Sequence, residues 1–177
     1  MLEKLKYPIG KPVIPSIITK NELTEWINTL ENFPLKLEAL VKNLTKDQLD
    51  TQYRESGWTI RQVIHHCADS HQNSYIRFKY TLTEDKPIIK AYYEDRWAEL
   101  FDTKSAPINL SLNMLKALHA KWVYLLNGLK PEELKKEFIH PDGNELVSLE
   151  TNIGIYAWHC NHHFAHIYNL MKTKQWV

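Results

Sequence analysis

Apolar residues recur every three to four positions over four long stretches of this 177-residue chain. That period commits the chain to helices packed on helices. In the first stretch they fall at Leu23, Trp26, Ile27, Leu30, Phe33, Leu37, Leu40, Val41 and Leu44, behind the capping pair Thr19 and Glu22. Pro34 lies inside it and predicts a kink or a brief interruption. The second stretch opens at Thr59, capped with Gln62, and runs to about Thr81, where Thr83–Pro87 ends it. The third spans about Leu110 to Leu129, with Met114, Leu115, Leu118, Trp122, Leu125, Leu126 and Leu129 inward, and stops near Gly128 and Pro131. The fourth begins after Ser148 and reaches about Lys174.

The intervening segments are short on pattern. Residues 1–18 carry Pro8, Gly10, Pro12 and Pro15 and read as an extended arm. Thr45 to Asp50 reads as a short turn of helix, and a second short helix is expected from about Tyr93 to Leu100 within a loop. Glu137 to Val147 places two short runs around Pro141-Asp142-Gly143-Asn144, which is hairpin chemistry. The expected fold is all-α: one domain over residues 1–177, a four-helix bundle with a small β-hairpin between helices three and four.

Composition narrows the function classes. A net charge of +1 leaves no basic stripe for nucleic acid. No apolar run approaches a membrane span, and Met1-Leu2-Glu3-Lys4-Leu5-Lys6 lacks the apolar core of a signal peptide, so a cytoplasmic location is expected. Cys67 and Cys160 lie in the two histidine-rich helices and are expected as free buried thiols, with a cysteine ligand as the alternative.

The chemistry concentrates in the fourth stretch, where Trp158-His159-Cys160-Asn161-His162-His163-Phe164-Ala165-His166 holds four histidines in eight residues. Positions four apart share a helix face, so His159 stacks with His163 and His162 with His166. The second stretch offers His65, His66 and His71. Burying several imidazoles without partners is costly, and a divalent cation resolves that by taking neutral nitrogens as ligands. Spacing alone leaves open which pair serves and whether His65 or His66 completes the set. Three histidines and a water would make a catalytic zinc-like or nickel-like centre rather than a closed structural one. The competing reading is a surface cluster that collects metal incidentally. His119 reads as a satisfied core histidine or a partner to a ligand, and His140 as an exposed turn residue. Asp69, three after His66, would orient an imidazole or act as a base, or else serve only as a surface or capping residue. The cluster lacks the glutamate of an H-E-x-x-H peptidase and the paired Glu-x-x-His segments of a di-iron bundle.

Several motifs together carry a resemblance: Tyr7-Pro8-Ile9-Gly10-Lys11, Gly57-Trp58-Thr59-Ile60-Arg61-Gln62-Val63, His65 through Arg77, and Trp158 through His163 with His166. They closely resemble the YfiT branch of the DinB-like superfamily, nearly end to end. The resemblance implies a four-helix bundle that binds one divalent metal through three histidines, often forms a homodimer, and acts as a metal-dependent hydrolase; related members are bacillithiol S-transferases. It places the ligands on His66, His159 and His163 and leaves His162 and His166 beside the site. The expected activity is hydrolysis of a small-molecule substrate by metal-activated water, with zinc first and nickel second, and with Asp69 or His162 moving the proton. The alternatives are transfer of a low-molecular-weight thiol activated as its thiolate, and a non-enzymatic metal-binding stress protein.

Overall fold

The computed structural model describes residues 2–177. In chain order its elements are α1 (Leu2–Lys6), α2 (Lys20–Val41), α3 (Lys46–Leu49), α4 (Ile60–Thr83), α5 (Glu94–Ala98), α6 (Phe101–Ser105), α7 (Ile108–Asn127), α8 (Pro131–Leu134), β1 (Glu137–His140), β2 (Glu145–Ser148) and α9 (Leu149–Thr173). The long helices begin where the caps predict. Thr19 Oγ1 accepts from the Glu22 N–H at 3.2 Å while Glu22 Oε2 accepts from the Thr19 N–H at 2.8 Å, and Thr59 and Gln62 reciprocate in the same way.

The short helix expected from about Tyr93 to Leu100 is α5, and a further one, α6, follows it beyond Glu99 and Leu100. Two expectations need correction. The arm is not extended throughout: α1 forms one turn of helix ahead of Pro8, the first residue there that opposes a helix. Pro34 does not interrupt α2, which runs from Lys20 to Val41 with the proline buried inside it. A proline leaves the carbonyl four residues earlier without its helical donor. Here that carbonyl, Leu30 O, is 2.6 Å from Nδ1 of His119 on α7, which replaces the missing N–H.

The bundle consists of α2, α4, α7 and α9. Both α2 and α4 pack against α7 and α9, so α2 and α4 face each other across one diagonal and α7 and α9 across the other. Helices consecutive in the chain are therefore not all neighbours in space. The connections over residues 42–59, 84–107 and 128–148 are long enough to cross the bundle. Leu30 and Leu37 from α2, Ile64 and Cys67 from α4, Leu115 and Trp122 from α7, and Ile153 and Ile167 from α9 meet in the core at 1 % exposure or less. Cys67 and Cys160 are free and buried, and burial raises both thiols.

The hairpin pairs Glu137 with Ser148 and His140 with Glu145, turning through Gly143 at φ +83°. Ser148 closes β2 and caps α9, its Oγ accepting from the Thr151 N–H at 3.2 Å, so the hairpin sets where the histidine-bearing helix starts. The arm lies along α9: Trp158 Nε1–H donates to Gly10 O and His166 Nε2–H donates to Lys6 O, both at 3.1 Å. No helix of the described residues is long and apolar enough to cross a membrane.

Candidate metal centre

The two histidine-rich helices, α4 and α9, are neighbours, and their imidazoles converge. Nε2 of His66 lies 3.2 Å from Nε2 of His159. The His66 ring centroid is 4.8 Å from that of His163, and the His159 and His163 rings are 4.3 Å apart one turn along α9. One nitrogen from each of the three falls within 4.8 Å of the others. Zinc–nitrogen bonds of about 2.0–2.1 Å in a tetrahedron put their nitrogens about 3.3 Å apart, close to the His66–His159 separation.

His65 is excluded by its own partners. Its Nδ1 faces Ser111 Oγ at 2.7 Å and its Nε2 faces Ala106 O at 3.2 Å. A carbonyl only accepts, so Nε2 carries the proton and Nδ1 accepts from the serine hydroxyl. Ala106 O also accepts from Arg61 Nη1 at 2.9 Å. His65 thereby ties α4 to the start of α7 and has no nitrogen to spare.

A second trio, His162, His163 and His166, also brings its nitrogens within 4.8 Å of one another and shares His163 with the first. The Nδ1 atoms of these three rings are buried without a hydrogen-bond partner among the described residues. Such orphaned ring nitrogens, in a set of neutral imidazoles, fit a divalent transition metal. Burial lowers His66 to about 4, helped by His166, and holds His159 and His163 well below the usual imidazole range. At neutral pH these rings are therefore unprotonated, the form that can bind a metal.

The rings form the floor of a cavity of about 420 Å³. Trp58 packs on His66 at 4.6 Å and Trp158 stacks on His162 at 4.3 Å, while Tyr7, Tyr53 and Tyr92 complete the walls. Lys6 and Arg54 supply positive charge to the lining, and Glu94 and Asp95 negative charge. Burial first, then His166 and His66, push His162 down to about 3.

Asp69 is not among the cavity's lining residues. Its half-buried carboxyl is pushed up to about 6 by burial and then by the charge of Asp102 on α6. His140 is half-buried rather than exposed, and its Nδ1 accepts from the Asp142 N–H at 3.3 Å because the hairpin folds the ring back onto its own turn. One group beside the site escaped sequence reasoning: Ser70, whose Oγ lies 3.4 Å from His159 Nε2 and hydrogen-bonds Tyr156. His71, offered by the sequence with His65 and His66, stands behind the trio rather than in it, its Nε2 3.0 Å from His159 Nδ1. It falls five residues after His66, off the three-or-four spacing that marks a shared face.

A profile of the DinB superfamily matches residues 29–167, which takes in α4, α7 and most of α2 and α9. The chain belongs to the DinB superfamily. Within it, this chain is 50% identical over 171 residues to a protein of Oceanobacillus iheyensis named as a candidate metal-dependent hydrolase, covering 97% of this chain and 98% of that one. It is 48% identical over 172 residues to YfiT of Bacillus subtilis, named in the same way, with 97% of each chain covered. A solved structure of YfiT superposes with a TM-score of 0.96 at 47% identity, covering 98% of this chain and 99% of that one. It is described as a probable metal-dependent hydrolase with an unusual four-helix bundle topology. The diagonal placement of α2 and α4 in this DinB-superfamily chain departs from an up-and-down bundle, in which consecutive helices are neighbours.

Proposed function

We propose that this chain is a metal-dependent hydrolase that holds one divalent cation, zinc first and nickel second, on His66, His159 and His163. The observation that carries this reading is the convergence of three imidazoles from two helices on the floor of an aromatic-walled cavity, with a nitrogen separation of 3.2 Å between His66 and His159. A cation bound there would supply the charge that activates a water for attack on a small-molecule substrate.

The chain's own groups would do the rest. Tyr7, Tyr53, Trp58, Tyr92 and Trp158 grip apolar substrate surface and limit bulk water, while Lys6 and Arg54 hold an anionic group. His162 is the proton carrier: it lines the cavity beside the candidate ligand His163, and Trp158 stacked on its ring holds it there. No proton step is assigned to Asp69, which lies outside the lining.

Thiol transfer is the second reading. It is favoured by Lys6 and Arg54, which suit the carboxylates of a low-molecular-weight thiol.

Metal analysis of the purified chain and of its His66→Ala, His159→Ala and His163→Ala variants tests the centre. Stoichiometric metal that each substitution removes is expected; metal content indifferent to all three would sink the proposal. Turnover is then measured on ester and amide panels and on a small thiol paired with an electrophile. Hydrolysis supports the primary reading, thiol consumption without hydrolysis replaces it with the second, and tight metal binding without turnover leaves a metal-binding protein. His162→Gln is expected to keep its metal and lose about 10²- to 10⁴-fold in turnover.

A further inference from the structure

Behind the candidate ligand His159 runs a line of buried imidazoles that ends at the proline inside α2. His119 Nδ1 is 2.6 Å from Leu30 O, His119 Nε2 is 2.7 Å from His71 Nδ1, and His71 Nε2 is 3.0 Å from His159 Nδ1. Beyond it, His159 Nε2 faces His66 Nε2 at 3.2 Å. His71 and His119 are almost fully buried, at 0 % and 1 % exposure. The line links α2, α7, α4 and α9 in turn.

We propose that Pro34, His119 and His71 are positioning residues that fix His159 as its Nδ1–H tautomer and so reserve its Nε2 lone pair for a metal ion. The direction follows from one end. Leu30 O can only accept, and Pro34, lacking an N–H, leaves it open to an outside donor. His119 must therefore carry its proton on Nδ1. A neutral imidazole has one donor and one acceptor, so His119 Nε2 accepts and His71 Nδ1 donates to it. His71 Nε2 then accepts, and His159 Nδ1 donates. Each proton is placed by the ring before it, and the last nitrogen is left unprotonated where three imidazoles meet; Ser70 Oγ, 3.4 Å from it, gives its own proton to Tyr156 Oη.

A doubly protonated His119 would reverse the line, since its Nε2 would then donate to His71. Complete burial in an apolar setting opposes that: Phe33 lies 5.8 Å from the His119 ring and 5.4 Å from the His71 ring, and Trp122 closes the other side. Burial correspondingly lowers His119 to about 4. Partners that orient a histidine ligand through its second nitrogen are a general means of fixing tautomer and ring angle. What is particular here is that two further histidines carry the constraint to a carbonyl freed by a proline on a third helix.

Only the destination of the lone pair rests on the metal-centre reading above; the order of protons does not. The test is nitrogen-15 NMR of the metal-free full-length chain, labelled at histidine, with zinc alone as the binding probe. His119, His71 and His159 are each expected as the Nδ1–H form. Nε2–H on His71 or His159 overturns the proposal whether or not metal binds. Correct tautomers in a chain that binds no zinc would leave the line standing and remove the metal-centre reading instead. His119→Leu takes away the donor and acceptor that set the direction. It is expected to scramble the His71 and His159 tautomers and weaken zinc binding about 10- to 100-fold. A folded His119→Leu variant with unchanged tautomers and zinc affinity overturns the proposal. His119→Gln, whose amide both donates and accepts, is expected to restore the pattern and most of the affinity. If the leucine variant does not fold, the wild-type spectrum decides alone.

Discussion

At the scale of single residues, the sharpest contrast lies between two chain neighbours. A helix turns each successive side chain by about 100°, so His65 and His66 face different partners. His66 reaches α9, whereas His65 binds Ser111 and Ala106. His65→Ala is expected to retain full metal content while lowering stability by about 1–3 kcal/mol, because Ser111 and Ala106 lose a buried partner. His66→Ala is expected to lose the metal and, with both variants compared metal-free, to cost less stability than His65→Ala. Metal analysis beside denaturant unfolding of both variants checks this, and metal loss in His65→Ala would contradict the assignment. The histidine pattern was legible as a site, but its phase was not. Which imidazole faces inward depends on how α4 is rotated against α9, and residue spacing records only relative positions on one helix. For the same reason His119 could be read only as a core residue or a partner: its acceptor, Leu30 O, belongs to another helix and is free only because Pro34 stands four residues later.

At the scale of elements, the long helices were legible from their apolar period and their caps. The arm was less so. Prolines argued for an extended chain, yet α1 forms ahead of the first of them and the arm then packs along α9. Gly154 shows how closely. A Cβ built there would lie 2.8 Å from Ile14 Cδ1 in the arm and 2.9 Å from the Trp26 ring on α2. In an open helix, glycine to alanine gains about 1 kcal/mol. In this contact the added methyl must displace an indole and the arm, an overpacking cost of about 1–3 kcal/mol. Gly154→Ala is thus expected to be neutral to destabilising, by up to about 2 kcal/mol. A rise in thermal midpoint would show that the arm yields freely.

At the scale of the whole molecule, acid stability follows from the buried imidazoles. Unfolded histidine takes its proton near pH 6.5, whereas His66, His119 and His166 in the fold do so at about 4 and His162 at about 3. Between those values the unfolded chain binds more protons, so stability falls as pH drops from about 6.5 towards 4. Asp69 works the other way, since its folded carboxyl protonates at about 6 against 3.8 in the unfolded chain. In that window it favours the folded state as pH falls, but it is one carboxyl against several rings. The thermal midpoint of the metal-free chain is expected to decrease from pH 7 to pH 4.5; a flat or rising profile would mean the imidazoles are not buried neutral.

The diagonal arrangement of the bundle was hidden from the sequence because it depends on which long connection crosses which end. It also dictates an order of events. In an up-and-down bundle, the first two helices can settle against each other while the rest of the chain is still being made. Here α2 and α4 lie across the diagonal, and every principal neighbour of either among the bundle helices comes later in the chain. A ribosome must release α7 before α2 or α4 has a bundle helix to fold against, and α9 before the ring closes. His66 then waits through most of synthesis for His159 and His163, and the three imidazoles are among the last parts of this molecule to meet.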